Sequence, residues 1–172
     1  MHSGPLSNHM SYLHHIALDN FSDYNFFIDE LNEKESITIK DKYKRLRLFL
    51  NTIESLNNIP EYFFHDVKKL QGWKDNDQRN VIGKIRDKNP ILKDIEQIAN
   101  AYKHRYRYKD GDLQSDDMQT SLISLSINLN EEKVIVNVDF DSIADEEIMN
   151  DAWKFWLDYY KKADISILLP NI

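Results

Sequence analysis

Only four glycines and four prolines interrupt 172 residues, and that scarcity limits the folds open to this chain more than any other feature. Many-turned β folds and glycine-rich phosphate loops need such residues at close intervals, because they supply the turns and the positive φ angles. Long helices do not. The length suits one domain with a sizeable core. There is no cysteine, which removes disulfides, thiolate nucleophiles and sulfur-ligated zinc or iron–sulfur sites. No cofactor is called for by any motif, and a metal would need histidine and carboxylate ligands. No apolar run approaches the 18 or so residues that span a bilayer.

Met1 to Met10 read as an expression leader closing on a second start, so His2 and His9 are set aside, and residues 11–172 are expected to form a single α-helical domain with a hairpin insertion. No basic stretch followed by an apolar run comes after Met10. The expected setting is therefore cytoplasmic, without a membrane partner.

Phe21, Tyr24, Phe27, Ile28 and Leu31 recur at steps of three and four, which predicts a helix over about 20–33. Thr38 and Asp41 make a capping box, and Tyr43, Leu46, Phe49, Leu50, Ile53 and Leu56 carry an apolar stripe up to a stop at Asn57–Pro60. A shorter helix is expected from Pro60 to Gln71, closed by Gly72, with further turns over Asp77–Asp87. Asn89 and Pro90 open the next helix, whose stripe of Ile91, Ile95, Ile98, Ala99, Tyr102 and Tyr106 runs to about Tyr108.

The period then changes from 3.6 to 2. Ile123, Leu125, Ile127 and Leu129 alternate with polar residues, and Val134, Val136, Val138 and Phe140 do the same beyond a turn. Ser142 and Asp145 start a last helix with a stripe of Trp153, Trp156, Leu157 and Tyr160. The expected fold class is mainly α: a helical bundle with one antiparallel β-hairpin (about 120–140) before the C-terminal helix. The apolar surface of that hairpin and helix predicts a homodimer.

Charge falls in blocks. Residues 40–109 carry 17 basic against 9 acidic side chains, and residues 110–151 carry 1 against 12. Two basic clusters stand out: Lys40, Lys42, Lys44, Arg45 and Arg47, and then Lys103, Arg105, Arg107 and Lys109 interleaved with Tyr102, Tyr106 and Tyr108. Cations neutralise phosphates and aromatic rings stack on bases, so Lys40, Lys44, Arg45, Arg47, Arg105, Tyr106 and Lys109 are the expected nucleic-acid contacts. The alternative is that the two blocks pair within the fold or solvate different faces.

If the helix reaches 108, Asn100, Lys103, His104 and Arg107 share one face at i, i+3, i+4 and i+7. A neutral imidazole exchanges protons near pH 7, and the neighbouring amide and cations suit an oxyanion. The same charges also suit the C-terminal end of a helix dipole. His14 and His15 are consecutive, which on an α-helix sets them about 100° apart.

The run from Ile95 through Glu96, Gln97, Ile98, Ala99, Asn100, Ala101, Tyr102, Lys103 and His104 to Arg105 resembles the last helix of HEPN-type helical-bundle proteins, found in bacterial toxin–antitoxin and anti-phage systems. The likeness covers about residues 20–108. Family members that cleave RNA do so without metal, with an Arg separated from a following His by four to six residues. His104 takes the place of that His, while Gln97, Ile98 and Ala99 stand where the Arg would be. The resemblance implies a helical, dimeric, defence-associated protein. The leading reading is a binding module of a stress or defence system, associated with RNA or a protein partner. The alternatives are a metal-independent ribonuclease using His104, and a partner-neutralising structural protein that uses its acidic segment.

Overall fold

A computed structural model of the chain describes residues 4–103, 107–109, 112–114, 123–130, 133–140 and 143–169, with side chains for 4–100 and 145–169. A helical run begins with α1 (His9–Tyr12), passes through a π-helical turn at Leu13–Ala17, and continues as α2 (Leu18–Asn32). The long α3 (Ile39–Gln71), α4 (Gln78–Lys88) and α5 (Pro90–Lys103) follow, and α6 (Asp145–Lys162) closes the bundle. Helix α3 is the spine: α1, the π turn, α2, α4 and α5 all pack against it. Its face of Phe49, Ile53, Leu56, Ile59, Phe63 and Phe64 is almost wholly removed from water, which supplies the main driving force for the bundle.

Helix α3 starts where its capping box predicts. The Thr38 amide and hydroxyl donate to Asp41 Oδ2 at 2.9 and 2.7 Å, and the Asp41 amide donates back to Thr38 Oγ1 at 3.3 Å. At the other end Gly72 adopts φ 70°, a left-handed conformation that costs glycine least, and the Trp73 amide reaches back to the Lys68 carbonyl at 2.8 Å. Trp73 then stacks on Phe64, the rings 5.7 Å apart and 4° from parallel.

The expected stop before Pro60 does not occur. Proline removes the N–H that the Leu56 carbonyl would accept and crowds that turn, at a cost of about 3 kcal/mol. Pro60 nonetheless lies inside one 33-residue helix, itself buried. Breaking the helix there would part the apolar stripe before Pro60 from the one after it, and Ile53, Leu56, Ile59, Phe63, Phe64 and Val67 are all buried along it. At about 1.5 to 3 kcal/mol for each large side chain, their joint burial outweighs the proline penalty.

The fold-class expectation of a bundle carrying one hairpin is corrected. Where side chains are described the chain is helical, no β-strand occurs among those residues, and the core they form is built by helices alone. The stretch between α5 and α6 does not hold one hairpin: its described backbone falls into two separate antiparallel sheets. In one, β1 (Arg107–Lys109) pairs with β2 (Asp112–Gln114). In the other, β3 (Ile123–Asn130) pairs with β4 (Lys133–Phe140), which also pairs with β5 (Ile143–Ala144). The sequence misleads because a helical stripe extrapolated through Tyr106 overlooks the alternation of Arg and Tyr at 105–109, which suits an extended chain. Helix α5 is described to Lys103, and Arg107–Lys109 are strand, so it does not reach Tyr108.

The stripe of α6 also turns relative to expectation. Ile148, Met149, Ala152, Trp156 and Tyr159 are its buried apolar residues, while Trp153 and Tyr160 are only partly covered. Trp153 stacks on Phe21 at 4.4 Å, so it packs at the edge of the core.

The Lys34 ammonium, 2.7 Å from Asp41 Oδ1, and then the Thr38 donors hold the Asp41 carboxyl well below the usual carboxylate range. A carboxyl depressed in the folded state stabilises fully above its unfolded pKa of about 4, and that contribution is lost as pH falls further. The expected outcome is that Asp41→Asn lowers the melting temperature at pH 7 and that the gap to the parent closes progressively below about pH 4, read by circular dichroism melts across pH.

Candidate functional site

The first half of α3 presents Lys40, Tyr43, Lys44 and Arg47 on one face, at i, i+3, i+4 and i+7. All four are exposed, and Tyr43 keeps 61% of its surface in water. The face exists because the opposite one is committed to the core: Asp41, Arg45, Phe49, Thr52 and Leu56 are buried. The Lys44 ammonium lies 3.9 Å over the Phe27 ring and 3.5 Å from Glu30, contacts that steady it at the surface while the residue stays exposed. Among the described residues no ion pair engages Lys40 or Arg47. Three cations thus line about 10 Å of a rigid helix, with an exposed ring between them.

Arg45 does not belong to this face, which corrects its expected role as a nucleic-acid contact. It is buried, and its Nε and Nη2 donate to Asp145 Oδ2 and Oδ1 at 2.8 and 2.6 Å. Nη2 also reaches Glu146 at 2.9 Å, and the Tyr24 hydroxyl donates to Asp145 Oδ2 at 2.7 Å. Burial disfavours the guanidinium charge, but the Asp145 bonds outweigh it and hold the pKa above the usual arginine value. For Tyr24, burial and then the Asp145 carboxylate both raise the phenol, so it stays protonated as the donor. The position of Arg45, four residues before Phe49 and on its stripe, was the available signal.

The second basic cluster is only partly placed. Asn100 is half-buried on α5, and Lys103 is the last residue of that helix. His104, Arg105 and Tyr106 lie outside the described residues. Arg107 and Lys109 stand on β1, so Arg107 is not one helical turn beyond Lys103, and the shared face of Asn100, Lys103, His104 and Arg107 does not extend that far.

A polar cluster absent from the sequence reading surrounds His9. Its amide donates to Asp66 Oδ2 at 2.6 Å, its Nδ1 bonds the same oxygen, and its Nε2 pairs with the Tyr159 hydroxyl at 2.7 Å. Burial and then the Asp66 charge push the Tyr159 phenol well above its usual value. The imidazole is itself buried and sits edge-on to Phe63. With both ring nitrogens occupied inside the core, the cluster clamps α1 to α3 and α6. Setting residues 1–10 aside as a leader hid it. His14 and His15 touch as well, their rings 4.5 Å apart, with His14 stacked on Tyr160 at 5.5 Å. They sit in the π turn, where the α-helical separation expected from their spacing does not hold. His14, His15 and His65 are all exposed.

Among the described residues no three His, Asp or Glu side chains gather in a way that could hold a metal. No helix there is long and apolar enough to cross a membrane. No protein-family model, no curated protein and no solved structure matches the chain.

Two stability outcomes check these assignments. Arg45→Met strands the Asp145 carboxylate in the core and is expected to cost about 3 to 5 kcal/mol in urea denaturation, while adding Asp145→Leu recovers a large part of that loss. His9→Ala is expected to cost about 1 to 3 kcal/mol by leaving the Tyr159 hydroxyl unpaired, a loss that an untied leader would not show.

Proposed function

We propose that the chain is a binding module for single-stranded RNA, held on the exposed face of α3. The observation that carries this reading is the placement of Lys40, Lys44 and Arg47 on one solvent face with Tyr43 between them. Phosphates meet the cations, and a splayed base stacks on the tyrosine, whose ring is already free of the core. A helix anchored along its opposite side does not have to be ordered on binding, which lowers the entropy cost. Arg45 contributes by locking the rotation of α3 and not by touching the ligand. The HEPN resemblance would set such a module in a bacterial stress or defence system, and the reading does not depend on it.

The test is fluorescence anisotropy with a labelled oligouridine over a range of salt. Affinity is expected to fall steeply as salt rises. Replacing Lys40, Lys44 and Arg47 together by alanine should weaken binding by at least about tenfold at low salt and reduce the log–log salt slope by about 2, since each phosphate contact contributes about 0.7 on a single strand. Tyr43→Ala should cost about 5- to 100-fold through lost stacking, with the slope unchanged. No binding at low salt, or a triple variant with parental affinity and slope, overturns the proposal.

A further inference from the structure

Farther along α3, and independent of the basic face, a polar groove of about 550 Å³ runs between α3 and α4. A second, shallower hollow lies on the outer side of α4. The two share Asn76, Arg79 and Gly83, so Gly83 is the saddle at which one depression passes into the other. Glycine inside a helix lowers stability relative to alanine, which makes Gly83 a position needing a reason. Packing within the chain does not supply one: a Cβ built on Gly83 meets nothing within 4 Å. What the missing side chain leaves is an open passage across the backbone of α4.

The charges around the passage are unbalanced. Asp75 is taken by Lys68, Glu96 by Arg86 and Asp87 by Lys93. Arg79 and Lys84, on the two sides of Gly83 in sequence, have no carboxylate partner among the described residues. On the groove side, Arg86 is fixed by Glu96 at 2.6 Å and by the Asn57 side-chain oxygen at 2.8 Å. That bond leaves the Asn57 NH2 available, and Gln78 and Glu61 add further polar groups to the wall. Among the described residues no aromatic ring lines either hollow, so a nucleobase finds no stacking surface there.

We propose that this paired depression binds a small phosphorylated polyol of the sugar-phosphate class, its phosphate held by Arg79 and Lys84, its chain crossing Gly83, and its hydroxyls bonded by the amides and carboxylate of the α3–α4 groove. Guanidinium and ammonium groups match a phosphate dianion, side-chain amides and carboxylates match hydroxyls, and the groove has the volume of a small-molecule site.

The experiment is a titration of the ¹⁵N-labelled full chain, followed by amide chemical shifts, with glycerol 3-phosphate, ribose 5-phosphate, glucose 6-phosphate, inorganic phosphate and ADP in turn. At least one sugar phosphate is expected to bind below about 1 mM and to shift amides within 57–61 and 76–86, with inorganic phosphate and ADP weaker. Arg79→Ala should weaken that binding by at least about tenfold. Gly83→Ala is the sharper probe, because it should raise the melting temperature, as a helix-interior glycine replacement does, while weakening binding by at least about tenfold. No sugar phosphate binding by about 1 mM overturns the proposal. So do shifts confined to other regions, a Gly83→Ala variant that melts higher and binds like the parent, or inorganic phosphate or ADP binding as tightly as the best sugar phosphate.

Discussion

The pair of bonds between Arg45 and Asp145 joins residues 100 apart in sequence and fixes how the last helix meets the spine. Taking a guanidinium and a carboxylate out of water costs several kcal/mol per ion, and the bidentate geometry together with the Tyr24 hydroxyl is what returns it. The pair is therefore less a source of stability than a condition on it, since any packing that parts the two charges leaves one stranded in the core. Asp145 is also the first residue of α6, where a carboxylate is favoured by the helix dipole. One contact thus sets the start of α6, its rotation about its axis and the rotation of α3. The solvent face of Lys40, Lys44 and Arg47 follows from that choice, because it is whatever α3 has left once Arg45 points inward.

Legibility in the sequence tracked how local the deciding interaction is. The Thr38–Asp41 box and the Gly72 terminus involve residues three to five apart, and their spacing was enough to place both ends of α3. Pro60 misled because its local penalty is plain in the sequence, whereas the stripe that outweighs it depends on helices packed from elsewhere. Arg45 misled for the related reason that a charged residue reads as exposed unless its partner is known, and Asp145 is not near it in the chain. The alternation at 105–109 was masked by a helical stripe arriving from upstream. His9 carries no local sign of its role, because the two residues that it binds, Asp66 and Tyr159, are far from it in sequence.

Helix α3 also organises the surface. The basic face occupies its first turns and the polar groove its middle, so Lys44 and Glu61 are separated by about 25 Å of continuous helix. A ligand at one position does not obstruct the other. Both lie on an element whose inner side is among the most fully buried parts of the protein, which gives each a scaffold needing little rearrangement on binding.

The π turn at Leu13–Ala17, closed by the Leu18 amide on the Leu13 carbonyl, is equivalent to one residue spliced into an ordinary helix. Its evolutionary consequence concerns insertions and deletions. Excising one residue from 13–17 would relax the run into a plain α-helix at no cost in backbone bonding, and because the wider π turn carries five residues through about the rotation of four α-helical ones, everything upstream would keep its orientation. His9 would still face Asp66 and Tyr159, and Tyr12 would still face Tyr62, on which it stacks at 4.2 Å. Lineages of this chain are therefore expected to tolerate the loss of one residue here more readily than the loss of one from the α-helical turns of α2, which would rotate all that precedes it by about 100°.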